Sequence, residues 1–94
     1  MMNLKEHIKK VLKEEKESHK GWKTTNGNLI KKFKFSDYNE TMDLVNKVAR
    51  IAKKQNHHPD MKVGYDEVII TITDHEKGGV SEKCYKFVDA VDKI

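Results

Sequence analysis

The stretch Glu67-Val68-Ile69-Ile70-Thr71-Ile72-Thr73 (EVIITIT) contains the longest unbroken apolar run of the chain, Val68 to Ile70. A segment this short has strand length, well below that of a buried helix. Side chains alternate along a strand, so Val68, Ile70 and Ile72 share one face while Ile69, Thr71 and Thr73 share the other. Both faces are apolar or β-branched. That pattern predicts a central strand with helices over one side and another sheet, or a partner subunit, over the other.

Upstream, Val63 to Tyr65 reads as a short strand that turns at Tyr65-Asp66 into the central one. Before it, Asp37 and Glu40 have the spacing of a capping box. At about 100° per residue, Met42, Leu44, Val45, Val48, Ala49, Ile51 and Ala52 then form one broad helical face. This helix must stop before Pro59, because a residue preceding proline is pushed out of the α region. Earlier still, Asn26-Gly27 is a hairpin signal. It joins a strand opened by Gly21-Trp22 to a return strand from Leu29 to Phe35. Leu4, Ile8, Val11 and Leu12 form the stripe of a first amphipathic helix ending before Gly21. Downstream, Gly78-Gly79 breaks the chain and Ser81 is positioned to cap a last helix, with Val80 and Tyr85 at staple positions. Its apolar face is Cys84, Phe87, Val88, Val91 and Ile94. The predicted order is α-β-β-α-β-β-α, an α+β fold with three helices on one side of a four-stranded, mostly antiparallel sheet.

The 94 residues read as a single domain, 1–94, with one Pro and no linker or internal repeat. A chain of this size buries roughly 60–65% of its extended surface, so its core is thin and self-association would help it. No apolar run approaches the ~20 residues of a membrane span, and MMNLKEHIKK lacks the apolar segment of a secretory signal. One cysteine, Cys84, excludes an internal disulfide and fits a reducing compartment, so a cytoplasmic location is expected. The net charge is +4, but all the basic residues except Arg50 are lysines scattered along the chain. A direct nucleic-acid site calls instead for a clustered footprint and guanidiniums.

Three of the five histidines fall at His57, His58 and His75. The first two lie in Asn56-His57-His58-Pro59-Asp60, past a helix end, and the third ends the central strand. Imidazole gives and takes protons near neutral pH, and loops on a rigid scaffold commonly carry function. If the helix exit and the strand end meet across one pocket, three imidazoles with Pro59 stiffening a wall suit acid–base chemistry on a small polar ring. The residues alone leave other readings open. His57 also suits a helix C-terminus, where a basic group meets the negative end of the dipole, and His58 and His75 also suit solvated loops. A zinc site lacks the usual ligand spacings, and Cys84 lies on an apolar helical face as a small hydrophobe would. No metal is expected.

The segment from Ala52 to Ser81, with its His-His-Pro, aliphatic strand, Thr73-x-His75 and Gly78-Gly79, closely resembles the pterin-4a-carbinolamine dehydratase family. The family is also known as the dimerisation cofactor of a homeodomain transcription factor. Gly21-Trp22, Phe33-Lys34-Phe35, Asp37-Tyr38-Asn39 and Val48-Ala49 extend the likeness over nearly the whole chain from Gly21. The resemblance implies a lyase of tetrahydrobiopterin recycling, which dehydrates 4a-hydroxytetrahydrobiopterin to quinonoid dihydropterin with no cofactor. It implies that His57 and His75 are the acid–base pair. It also implies that His58 binds and orients the pterin, and Pro59 and Trp22 are the further candidates for substrate contact. Trp22 has two open readings, lining the pocket or packing an edge.

This chain departs from the family pattern at Lys53, where many relatives have glutamate, and at Cys84, where an aspartate is usual. The expected partners are a small-molecule pterin and further copies of the chain, as homodimer or homotetramer. Two alternatives stay open: a protein-binding module of the coactivator type, and an accessory role in another pterin or molybdopterin pathway.

Overall fold

A computed structural model describes residues 19–94. The elements are β1 (Lys23–Thr25), β2 (Asn28–Lys34), α1 (Tyr38–Gln55), β3 (Asp60–Val63), β4 (Glu67–Ile72) and α2 (Glu82–Asp92). The strands form one sheet in the order β1-β2-β4-β3, and every pairing is antiparallel. The expected three helices on the sheet are corrected to two, α1 and α2, among the described residues. The first predicted helix, carrying Leu4, Ile8, Val11 and Leu12, lies outside them.

Local chemistry accounts for the elements. Asn26 (φ 49°) and Gly27 (φ 78°) both take positive φ, as a two-residue hairpin turn matched to strand twist requires. At the start of α1 the Asp37 carboxylate accepts the Glu40 N–H at 2.8 Å, and the Glu40 carboxylate reaches back to the Ser36 N–H at 3.1 Å. The buried Thr41 hydroxyl lies 2.9 Å from the carbonyls of both Asp37 and Tyr65, fixing the β3–β4 turn against the helix. Strand β3 begins directly after Pro59 rather than at Val63, because pairing Asp60 with Thr71 and Val63 with Val68 puts Tyr65 at the exposed turn.

β4 is central, as its composition predicts. Val68, Ile70 and Ile72 are fully buried beneath Leu44, Val48 and Ala52 of α1 and Cys84, Phe87, Val88 and Val91 of α2. Ala49, expected on the buried face of α1, is exposed. Among the described residues the other face of β4 meets neither helix nor second sheet. There Ile69 is only half-buried, and its register partners on both sides are lysines, Lys32 and Lys62. Lysine stems can cover apolar surface while the ammonium stays in water.

Candidate active site

α1 ends in a way that aims the chain at the sheet. Asn56 turns left-handed (φ 52°, ψ 44°). The His57 N–H returns to the Ala52 carbonyl at 3.1 Å and the Asn56 N–H to Lys53 at 3.4 Å, the paired bonds of a Schellman ending. The His57 side chain is thereby delivered into the protein, where it is 7% exposed. Its Nε2 lies 2.7 Å from the Thr73 carbonyl at the end of β4. A carbonyl only accepts, so Nε2 carries the proton, and in the neutral ring Nδ1 holds the lone pair. That Nδ1 is shielded from solvent and has no hydrogen-bond partner among the described residues. The ring meets Phe87 of α2 edge-on, with centroids 6.0 Å apart.

His58 follows with an exposed side chain, and Pro59 is half-buried. His75 is exposed in the turn between β4 and α2, which is closed by antiparallel pairing of Asp74 with Gly79. The two segments face each other across a cavity of about 370 Å³, walled by Asn56 to Asp60 on one side and Thr73 to Glu76 on the other, with Lys83. Thus His57, His58, Pro59 and His75 all border one space, of a size within the ~300–1,000 Å³ of small-molecule sites.

Trp22 lies elsewhere: its Nε1–H donates to Asp92 Oδ1 at 2.9 Å and its ring packs edge-on to Phe33 at 6.2 Å. Among the described residues no three His, Cys, Asp or Glu side chains converge as metal ligands would. Cys84 is fully buried in the core, and Lys53 is exposed on α1.

Sequence reasoning missed Asp74. It is the one buried carboxylate on the cavity wall, and the Ser81 hydroxyl donates to its Oδ2 at 2.6 Å. Its Oδ1 accepts the Glu76 N–H at 3.1 Å. The Ser81 bond above all, aided by the backbone N–H groups of Lys77 and Glu76 and by the Lys83 ammonium, holds the carboxyl below its ordinary range against the opposing effect of burial. Its sequence signal was an aspartate two residues ahead of a backbone N–H at a strand end, a common turn device. The Ser81 hydroxyl also lies 4.0 Å from the Cys84 sulfur. Ser81 therefore stands between the Asp74 carboxylate and Cys84, the position where the resemblance leads one to expect an aspartate.

A four-stranded antiparallel sheet carrying two helices, with imidazoles gathered where a helix exit meets a strand end, defines a small α+β protein with a histidine-lined cavity. The chain belongs to the pterin 4 alpha carbinolamine dehydratase family, whose model matches residues 4–94. A relative bearing that name from Sulfurisphaera tokodaii is 36% identical over 92 residues, covering 97% of this chain and 98% of its own. One from Sulfolobus acidocaldarius is 38% identical over 74 residues, covering 79% and 81%. The crystal structure of a transcriptional coactivator/pterin dehydratase from Brucella melitensis shares the fold with TM-score 0.79 at 23% identity, covering 98% of this chain and 95% of that one. A pterin dehydratase-like protein described as a RuBisCO assembly factor in the alpha-carboxysome shares it with TM-score 0.68 at 24% identity, covering 81% and 90%. No described helix is long and apolar enough to cross a membrane.

Proposed function

We propose that this protein is a cytoplasmic dehydratase that converts 4a-hydroxytetrahydrobiopterin to quinonoid dihydropterin and water by histidine acid–base catalysis. The observation that carries the reading is the convergence of His57, His58 and His75 on one cavity. The C4a–O bond breaks as the neighbouring ring nitrogen pushes its lone pair toward C4a. One imidazole, protonated, gives its proton to the departing hydroxyl, which leaves as water. A second takes the proton that the ring nitrogen sheds, so no net proton is consumed. No group beyond these is required.

In this scheme His75 is the exposed member of the pair and His57 the anchored one, with its tautomer fixed by Thr73 and its lone pair on Nδ1. His58 and Pro59, on the same wall as His57 and facing His75, bind and orient the pterin. Because Nδ1 of His57 is shielded, proton exchange there requires the ring or the Asn56–Pro59 backbone to shift on binding. The exposure of His58 favours a second assignment within the same reaction, in which His58 exchanges the proton and His57 serves as the wall that places it.

The test is a stopped-flow ultraviolet assay on chemically generated 4a-hydroxytetrahydropterin. Wild-type protein is expected to form dihydropterin faster than the spontaneous reaction. His57→Ala/His75→Ala is expected to lose about 10²–10⁴-fold in turnover, and His58→Ala mainly to weaken binding. A large turnover loss in His58→Ala with His57→Ala near wild type selects the second assignment. Absence of any acceleration at high enzyme concentration refutes the dehydratase. It would favour a protein-binding role, for which the RuBisCO assembly factor of the same fold is the precedent, or an accessory role in another pterin pathway.

A further inference from the structure

His75 is exposed and its ring has no hydrogen-bond partner among the described residues, so its backbone must place it. That backbone is held from both sides by one residue, Asp74. The Asp74 N–H donates to the Gly79 carbonyl at 3.0 Å, and the Asp74 carbonyl accepts from the Gly79 N–H at 3.1 Å and the Lys77 N–H at 3.1 Å. Its Oδ1 accepts the Glu76 N–H, just past His75, at 3.1 Å. Its Oδ2 is tied at 2.6 Å to Ser81, the first residue before α2.

The Ser81 bond is unusual for its location. Ser81 has the extended backbone of a helix N-cap (φ −137°, ψ 177°), where a serine hydroxyl ordinarily accepts an N–H of the first turn. Here it makes no such cap bond and donates to Asp74 instead. The helix forgoes its side-chain cap, and the hydroxyl joins α2 to the turn bearing His75. The same helix carries Phe87, against which the His57 ring rests. α2 thus bears on both histidines, touching the His57 ring through Phe87 and reaching the turn of His75 through Ser81, the residue before it, and Asp74.

We propose that Asp74 and Ser81 form a latch that holds His75 at a set distance from His57 across the cavity. Asp74 is a positioning residue: it acts through the turn, and its carboxylate is already engaged by Ser81 and Glu76. The kinetic consequence rests on the dehydratase reading, whereas the ordering of His75 does not.

The experiment therefore has two arms, applied to Asp74→Ala, Ser81→Ala, the double variant and Ser81→Thr, which keeps a hydroxyl. The first arm follows the His75 ring proton signals by NMR in ligand-free protein. Asp74→Ala and Ser81→Ala are expected to broaden or double them, and Ser81→Thr to retain the single wild-type set. The second arm measures kcat and KM. Each alanine variant is expected to lower kcat by up to about 100-fold, the scale of a small misplacement of a reacting group, with KM little changed. The double variant should lose no more than Asp74→Ala alone, because that change already breaks the link Ser81→Ala removes. Unchanged His75 signals in both single variants overturn the latch, as do additive losses in kcat. If wild-type protein fails to accelerate dehydration, that failure belongs to the proposed reaction and the NMR arm alone decides the latch. If Asp74→Ala does not fold, Ser81→Ala carries both arms, since it removes no cap bond.

Discussion

His57→Ala should cost far more stability than the same change at either of the other two histidines. The His57 ring is buried and donates from Nε2 to the Thr73 carbonyl at 2.7 Å. Deleting it leaves a part-buried acceptor without its donor, a loss of about 1–3 kcal/mol. The edge contact with Phe87 contributes about 0.5–1.5 kcal/mol more. Together these give about 2–4 kcal/mol. A 94-residue domain has a total stability of about 5–14 kcal/mol at ~0.05–0.15 kcal/mol per residue. At about 4–8 °C per kcal/mol for a domain of this size, the melting temperature should fall by about 8–32 °C. His58→Ala and His75→Ala, both exposed, should stay within about 0.5 kcal/mol of wild type. Urea and thermal unfolding followed by circular dichroism measure all three. Equal stability of His57→Ala and His75→Ala would refute the reasoning, since it would mean that the Thr73 bond and the Phe87 contact contribute nothing.

The Asp74 carboxyl titrates below its ordinary range when folded. Its stabilisation is therefore present above the unfolded carboxylate value near 3.9 and is lost as pH falls through the lowered folded one. The stability gap between wild type and Asp74→Asn should narrow on going from pH 7 into that acid window, and a gap independent of pH would contradict this. Elemental analysis of protein purified without added metal should find well below one equivalent of zinc, and stoichiometric zinc lost together with activity on chelation would overturn the metal-free chemistry. Sedimentation velocity at micromolar protein should show a dimer or larger, because Val63, Tyr65 and Ile94 are exposed and no described element layers over the second face of β4. A single species at the 11.0 kDa monomer mass would show that the lysine stems beside Ile69 suffice to cover that face.

Much of the fold was legible because local chemistry and global packing agreed. The Asn26-Gly27 turn, the Asp37/Glu40 cap and the Pro59 stop each follow from a backbone requirement that only a few residue types meet. Period-two alternation identified β4, and its most buried residues are those of the Val68-Ile70-Ile72 face. The position of β3 was harder to read, because Asp60-Met61-Lys62-Val63 has no alternation strong enough to announce an edge strand and takes its bounds from pairing with β4. Ala49 was misplaced for a related reason. An alanine contributes so little area that its place on a helix circumference says little about burial.

The site divides along the same line. Histidines beyond a helix end and at a strand end could be picked out because imidazole chemistry marks them wherever they stand. What the chain could not declare was which imidazole is anchored, because that depends on a carbonyl sixteen residues away, at Thr73. Asp74 and Ser81 were hidden by ambiguity of a different kind. A serine before a helix reads as a cap and an aspartate in a turn reads as a turn former, and each is adequately explained alone. Only the 2.6 Å bond between them shows that the serine has left the role its position suggests. A polar residue adequately explained by its neighbours in sequence is therefore where a long-range tie is hardest to see, and here such a tie joins α2 to the turn that carries His75.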